Sequence, residues 1–475
     1  MIRKITFESH WLIDLLPKVT FGNGTESIEL TSSALWYDGE TGMEDLLNLE
    51  TEEEIIDFVT NLSGAWSLVL YRADLNKIFV GRDIFGRQSL VYCRKDSSLL
   101  LGCAIHENLS LDWYEVPFAQ VTSWDIVGNS STLHYLIPDF EEEFVKNWKD
   151  VLNIQKSIFE NNKVGLVQVS REVGQSADPE AVDTLFNRLI RSCSRRKETN
   201  AENGVAFSGG VDSLLVAHAL LQATSNNESI TLINVAFGEN DNAFASAPDR
   251  KRSVEAFTHL TDCYPDRQIR LVLRNVTGEE LKTKREQFIA RAAAPCMSVL
   301  DDSLACVVWF ALEGKGNEFR TGQEFTTGAS VFFVGSGADE IFAGYARHRN
   351  RFQKDGHPSV AEECQQELRR LGSRNGGRDS RVATQLQRTL VAPFLTDEIV
   401  RWANELPILQ KCDLSFERGV GEKRIIRQAL MKLNAPNTAP KQAMQFGSRI
   451  AKLTNESKTV KGSDVSSHLQ SLKKL

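Results

Sequence analysis

Two hydrophobic patterns divide the chain. Between Trp11 and about Val127 the apolar residues come in short β-type runs, among them Ala34-Leu35-Trp36-Tyr37, Trp66-Ser67-Leu68-Val69-Leu70-Tyr71, Lys77-Ile78-Phe79-Val80 and Leu99-Leu100-Leu101. Polar stretches such as Arg72-Ala73-Asp74-Leu75-Asn76 and Lys95-Asp96-Ser97-Ser98 separate them. This predicts hairpins stacked into a layered sheet, interrupted by one helix at about Glu52 to Leu62. From Asp178 the pattern changes. Asp178-Pro179-Glu180 opens a helix whose apolar positions Val182, Leu185, Leu189 and Cys193 fall at i, i+3 and i+4 spacing. Buried-type strands are then predicted at 204–207, 230–237, 267–273 and 331–334, alternating with helices that begin at Leu214 and span 249–260 and 300–313. Such alternation implies a parallel sheet covered on both faces.

The poorly patterned region 138–178 reads as a connection between a unit at 1–137 and a second at 179–450. Residues 451–475, rich in Ser and Lys, are expected to form a mobile tail. A length of 475 residues agrees with more than one domain. The net charge of −8 argues against a general nucleic-acid binder, which needs a basic surface to displace counterions. The densest basic cluster, Arg191, Arg195, Arg196 and Lys197, ends a predicted helix and there complements its dipole. Eight scattered cysteines show no zinc-ligand spacing and read as reduced thiols. No apolar run reaches membrane-spanning length and the start lacks a signal-peptide core, so a cytoplasmic protein without membrane partners is expected.

The chemistry concentrates in Ser208-Gly209-Gly210-Val211-Asp212-Ser213, placed between a predicted strand and a predicted helix. The first turn of a helix offers unpaired N–H groups and the positive end of its dipole, and two glycines let the backbone approach an anion. Ser208 and Ser213 add hydroxyls. Asp212 would repel phosphates unless a cation such as Mg²⁺ lies between them, so the stretch reads as a pyrophosphate cradle with a metal. It lacks the glycine spacing and Gly-Lys-Ser/Thr ending of a Walker A loop and instead resembles the PP-loop of ATP pyrophosphatases. A second glycine turn, Gly335-Ser336-Gly337-Ala338-Asp339-Glu340, follows the strand at 331–334. Ligands of open α/β sheets bind at the carboxyl ends of strands, so both turns can face one crevice.

Together with Ile341-Phe342-Ala343-Gly344-Tyr345, these turns resemble the synthetase domain of the glutamine-hydrolysing asparagine synthetase family. Further matches are Ala392-Pro393-Phe394-Leu395, Gly421-Glu422-Lys423 and the segment from Pro440 to Arg449. That segment, with Leu300-Asp301-Asp302-Ser303 and Ser373-Arg374-Asn375, most resembles the divergent branch of asparagine synthetase domain-containing proteins. The resemblance implies an ATP pyrophosphatase fold (adenine nucleotide α hydrolase-like) for the second unit, with ATP and Mg²⁺ as cofactors. It places the pyrophosphate on Ser208, Gly209, Gly210, Asp212 and Ser213, the adenine near Phe207 and Val235, and the adenylate at Val334 and Gly335. Mg²⁺ would lie between Asp212 and Asp339, and Lys441, Asp339 and Glu340 would be catalytic, Lys441 by meeting charge on the phosphates. The implied reaction is aspartate, ATP and ammonia or glutamine to asparagine, AMP and pyrophosphate. Ser336 departs from the family, which carries glutamate there, so a base or an orienting charge is missing from the turn. The acidic pair Asp301 and Asp302 is a candidate replacement.

In the first unit, Leu62-Ser63-Gly64-Ala65-Trp66 and Gly81-Arg82-Asp83-Ile84-Phe85-Gly86-Arg87 resemble the glutaminase domain of the same family, a layered αββα Ntn-hydrolase fold. Asp38, Gly39 and Glu40 align with its glutamine site. That domain uses an N-terminal cysteine, whereas this chain starts Met1-Ile2-Arg3, so glutamine hydrolysis is not expected of it as written. Three functions follow from these residues: an asparagine-forming amide ligase, an enzyme that adenylates another carboxylate, or a nucleotide- or partner-binding relative without catalysis.

Overall fold

In the computed structural model the described residues are 10–14, 18–22, 27–29, 34–39, 46–95, 98–105, 113–125, 130–135, 177–296, 298–454, 461 and 463–466. The first half holds two antiparallel sheets. One has five strands in the order Ser130–Tyr135, Gln120–Asp125, Lys77–Arg82, Trp66–Arg72 and Ala34–Gly39. The other has six, with His10–Asp14 between Lys18–Gly22 and Ser98–Gly102. Val69, Ile78 and Val80 of the first sheet meet Leu101 of the second, so one core lies between the sheets. The opposite face of the five-stranded sheet, through Leu68, Leu70 and Phe79, packs on Ile55 and Val59 of the helix Glu52–Thr60. That helix starts at a capping box: Glu54 N–H donates to Thr51 Oγ1, and the Glu54 carboxylate accepts from Thr51 N–H. The layered arrangement expected from the β-type runs is therefore present. Among the described residues, the outer face of the six-stranded sheet is covered at Val91 and Cys93 by Ala294 of the second half.

The second half is built on a seven-stranded sheet ordered Glu324–Thr326, Lys315–Glu318, Ile269–Val276, Ile230–Phe237, Asn203–Ala206, Val331–Phe333 and Thr389–Val391. The last five are parallel, and the first two form an antiparallel hairpin at one edge. The central strand Ile230–Phe237 is buried at every position, because helices cover both faces. Leu232 packs with Val205 and Leu214 on one face, and its neighbour Ile233 packs with Val307 and Phe310 on the other. The chain enters at Asn203–Ala206, builds outward through 230–237 and 269–276, then returns to the other side of its first strand with 331–333. The strand order thus reverses between Asn203–Ala206 and Val331–Phe333, the place where such sheets open a crevice.

Two expectations change here. The tail at 451–475 is not uniformly loose. Ile450–Leu453 is helical, Val299 N–H donates to Asp464 O at 2.8 Å, and the buried Ser466 donates to Asp302 Oδ2 at 3.2 Å. The start of the helix Val299–Leu312 supplies amides that need acceptors, and the returning chain provides one. The basic cluster at the end of Pro179–Arg196 also does more than complement a dipole: Arg191 and Arg195 join Arg188 on Glu398, at 3.3, 3.4 and 2.8 Å. The connection expected at 138–178 lies outside the described residues except for Ala177 and Asp178.

The two halves meet through buried polar contacts. Arg87 donates to Leu395 O at 2.7 Å and to Asp397 Oδ1 at 2.8 Å, and Gly64 N–H donates to Asp397 Oδ2 at 2.7 Å. Asp83 shapes the turn that presents Arg87, accepting from Phe85 N–H at 2.8 Å and Arg87 N–H at 2.9 Å. Ser380 bonds both Ser89 N–H and Gln88 Oε1, and Arg381, wholly buried, reaches Glu115.

Candidate active site

The strand Asn203–Ala206 ends in Phe207-Ser208-Gly209-Gly210, and the helix Val211–Ala223 begins directly after it. Gly209 has φ +69°, and a Cβ there would sit 2.3 Å from the backbone of Arg252 and Ser253, so only glycine fits against the neighbouring helix Pro248–Cys263. Ser208 Oγ accepts from Gly210 N–H at 3.2 Å and lies 3.2 Å from Ser213 Oγ, which folds the loop back on itself. The first helical bond runs from Leu214 N–H to Gly210 O. The amides of residues 211–213 precede it and face the turn, the arrangement that receives an anion.

The second turn meets the first. A Cβ on Gly335 would lie 2.7 Å from Asp212 Cβ and 3.1 Å from Ser213 N, so the turns touch backbone to backbone. Gly337, at φ +95°, then redirects the chain into the short helix Ala338–Ile341, which carries Asp339 and Glu340. Val334 leads into this turn and donates its N–H to Val391 O.

Between the turns lie two carboxylates and two ammonium groups. Lys423 Nζ is 2.5 Å from Asp212 Oδ2 and 2.6 Å from Asp339 Oδ1. Lys441 Nζ is 2.5 Å from Asp339 Oδ2 and 4.0 Å from Asp212 Oδ2. Burial alone would raise the Asp339 carboxyl, but Lys423 and Lys441 override it and hold the group well below the usual carboxylate range. Lys441 is moved the other way: burial would lower it, and Asp339 and Asp212 raise it instead. The lysines differ in access, with the Lys423 side chain 1% exposed and that of Lys441 31% exposed. Lys441 therefore stands at the mouth and Lys423 at the base.

Glu340 sits behind this quartet. Burial and the neighbouring Asp339 charge raise its carboxyl, while the Tyr345 hydroxyl, donating to Oε1 at 2.6 Å, works in the opposite sense. Tyr345 N–H in turn donates to His348 Nδ1 at 3.0 Å, and burial beside Arg347 lowers His348 to about 3, so this imidazole is neutral.

The sequence-predicted residues Ser208, Gly209, Gly210, Asp212, Ser213, Gly335, Asp339 and Lys441 converge on one crevice. The side chains of Phe207 and Val235 are buried in the cores on either face of the sheet, at the ends of the two strands beside the crevice. Asp38 and Gly39 end the strand Ala34–Gly39, and Glu40 lies outside the described residues. Asp301 and Asp302 do not replace the absent glutamate. Asp301 is committed to Arg378 at 2.7 Å, and Asp302 to Arg285 at 3.3 Å and to Ser466 of the returning chain. Sequence reasoning gave Lys423 no role, although it stands in the matching Gly421-Glu422-Lys423 segment.

Mg²⁺ fits these residues. Asp212 Oδ1 is buried without a hydrogen-bond partner among the described residues, beside Asp339, and Mg²⁺ is commonly held by one or two carboxylates with phosphate oxygens and water completing the shell.

The asparagine synthase family model matches residues 184–391, and the glutamine amidotransferase domain model matches residues 27–108. Asparagine synthetase domain-containing protein 1 of Mus musculus is 30% identical over 529 aligned residues, which cover 89% of this chain and 84% of the relative. The chain belongs to the asparagine synthetase domain-containing protein family. The Homo sapiens member of this asparagine synthetase domain-containing family is 29% identical, covering 90% of this chain and 82% of its own length. A putative glutamine-hydrolysing asparagine synthetase of Methanocaldococcus jannaschii is 22% identical over 80% of this chain and 62% of the relative. Among solved structures, glutamine phosphoribosylpyrophosphate amidotransferase from B. subtilis is 8% identical and covers 59% of this chain and 88% of its own, at a TM-score of 0.24. The assignment of an amidotransferase-type first half and a synthetase-type second half rests on the family models and the sheets.

Proposed function

We propose that the chain is an ATP-dependent amide ligase that adenylates a carboxylate, aspartate in the first instance, and passes the acyl group to ammonia. The observation that carries this reading is the Asp212, Asp339, Lys423 and Lys441 quartet, set between two glycine turns where the strand order reverses. A pure scaffold has no use for two buried lysine–aspartate pairs around an open anion cradle, since such pairs are costly to bury.

In this reading residues 1–137 form the amidotransferase-like unit and residues 179–450 the synthetase unit. The amides of residues 211–213 with the Ser208 and Ser213 hydroxyls hold the β- and γ-phosphates of ATP. Asp212 and Asp339 would hold Mg²⁺, which would supply charge neutralisation for the phosphates. The substrate carboxylate oxygen attacks the α-phosphorus, and the bond to the bridging β-phosphate oxygen breaks with its electron pair leaving on pyrophosphate. Lys441, at the mouth, meets the charge that grows on the leaving phosphates, and Lys423 fixes both carboxylates from below. Gly335 leaves room for the adenylate against the backbone. Ammonia then displaces AMP from the acyl carbon.

Purified chain with ATP, Mg²⁺, aspartate and ammonium is expected to release pyrophosphate only when aspartate is present, to yield asparagine, and to lose both in Asp212→Ala. Binding of ATP without pyrophosphate release, for aspartate and for a panel of other carboxylates, would overturn the ligase and favour a nucleotide-binding role.

A further inference from the structure

The second glycine turn carries Ser336 where the resembled asparagine synthetases carry a glutamate, and the two acidic residues beside Ser298 are engaged elsewhere. One carboxylate does share a cavity with Ser336. Beside the turn, between the two halves of the chain, a cavity is walled by apolar side chains including Val334 and Leu395, and its polar lining includes Ser336, Asp379 and the guanidinium groups of Arg87 and Arg196. Asp379 lies on the helix Gly376–Gln385. Its Oδ1 accepts from Arg378 Nε at 2.9 Å and lies 2.8 Å from Arg378 Nη2, whereas Oδ2 has no partner among the described residues. Arg378 is itself fixed from the far side by Asp301 at 2.7 Å, and Asp379 N–H is tied to Asn375 O at 3.0 Å. One oxygen is thus clamped, and the side chain remains 13% exposed on the wall of the cavity.

We infer that Asp379 supplies the proton-accepting carboxylate that Ser336 does not, by binding ammonium in this cavity and releasing it as ammonia toward the acyl-adenylate. This rests on the ligase reading above. Of the charged groups that line the cavity, Arg87 is neutralised by Asp83 at 2.9 Å and Asp397 at 2.8 Å, Arg196 is the second cation, and Asp379 Oδ2 is the carboxylate oxygen an ammonium ion would meet. Burial raises the Asp379 carboxyl, opposed by Arg378 and Arg381 and aided by Asp301, so it takes up a proton more readily than a surface aspartate does. The steps balance. Ammonium gives one proton to Asp379, and the nitrogen lone pair attacks the acyl carbon. The carbon–oxygen bond to AMP breaks with its electrons staying on the phosphate oxygen, and the surplus proton on the new amide leaves with the AMP phosphate. The clamp on Oδ1 leaves only Oδ2 to serve as the base, which fixes the direction from which nitrogen arrives.

The test compares wild type with Asp379→Asn in three assays: aspartate-dependent exchange of pyrophosphate into ATP, amide formation from ammonium, and hydroxamate formation from hydroxylamine, an amine that is largely neutral at pH 7. Asp379→Asn is expected to retain exchange within about twofold, to lose amide formation from ammonium by roughly 100-fold or more, and to retain most hydroxamate formation, because a neutral nucleophile needs no base to release its lone pair. The double variant Asp379→Asn with Ser336→Glu is expected to recover part of the ammonium reaction. Wild-type rates with ammonium in Asp379→Asn would overturn the assignment, as would joint loss of exchange and both products, which would mark Asp379 as a structural residue. Absence of exchange in wild type would instead remove the ligase reading, and the Asp379 assignment with it.

Discussion

Lys423 stands at a backbone position that disfavours it. Its φ of +51° is left-handed, a conformation that costs a non-glycine residue free energy and persists where the surroundings enforce it. The return is that its ammonium group reaches two carboxylates at once. Space for it comes from Gly344, where a Cβ would lie 2.1 Å from Lys423 Cε and 1.9 Å from Asp339 Oδ1. Replacing Lys423 by Met is expected to destabilise the fold by about 3 kcal/mol, because it leaves buried carboxylate charge without its partner. Millimolar Mg²⁺ should restore part of the lost thermal stability by occupying the same carboxylates, and Asp212→Ala in the same background should abolish that recovery. Unfolding curves with and without Mg²⁺ measure both; a variant as stable as wild type would contradict the role given to Lys423. At this scale the sequence was legible where chemistry and backbone signal coincide. Asp212 and Asp339 each sit beside glycines in a turn after a strand, and that pattern can be read. Lys423 meets Asp212 across 211 residues of chain, and its left-handed backbone leaves no mark in residue type. Asp379 was hidden for a related reason, since its meaning depends on a cavity shared with residues from a different strand.

The strands that pack on both faces were the most legible elements. Ile230–Phe237 is a mostly apolar run, broken by Thr231 and Asn234, and forms over the residues expected. Edge elements were not legible: Lys315–Glu318 and Glu324–Thr326 are short and polar, and they pair only because the sheet offers an open edge. The helical segment Ala346–Arg370 is interrupted at Gly356, with φ +74°, just before Pro358, so its breakers obscure a periodicity that exists on either side. Connections between elements also contribute stability through single side chains. Glu228, almost fully buried, accepts from Lys197 Nζ at 2.7 Å, Asn200 N–H at 2.9 Å and Ser225 N–H at 2.7 Å, tying the end of helix Pro179–Arg196 to the loop before the central strand. Burial would raise its carboxyl, but Lys197 and the two amides override it and lower it from 4.5 to about 2. Because the folded value is depressed, this stabilisation is complete above pH 4.5 and is lost as pH falls toward 2. Glu228→Gln is therefore expected to cost about 2 kcal/mol at pH 7, and the difference from wild type should shrink progressively as pH falls below 4.5. Urea unfolding across that range decides it; a difference independent of pH would show that charge is not the cause.

Across the whole molecule, the segments that resemble a glutaminase, Leu62-Ser63-Gly64 and Gly81 to Arg87, form the seam against the second half. Arg87 is anchored on Asp83, spans to Leu395 O and Asp397, and shares Asp397 with Gly64 N–H. The carboxylate is lowered despite burial by Arg87 and that amide. Arg87→Ala and Asp397→Ala are expected to be non-additive, with a coupling of about 2 kcal/mol in a double-mutant cycle read by thermal unfolding; simple additivity would show that the seam does not depend on this pair. The site itself draws on residues 208–213, 335–339, 423 and 441, in that order along the chain. Synthesis runs in the same direction, so the acidic pair is made well before either lysine that neutralises it. A growing chain that has produced both glycine turns holds two like charges where the finished fold has a balanced quartet. Under the ligase reading, stabilisation by bound nucleotide needs the two lysines that are made last, so a chain ending before residue 423 is expected to gain no thermal stability from ATP.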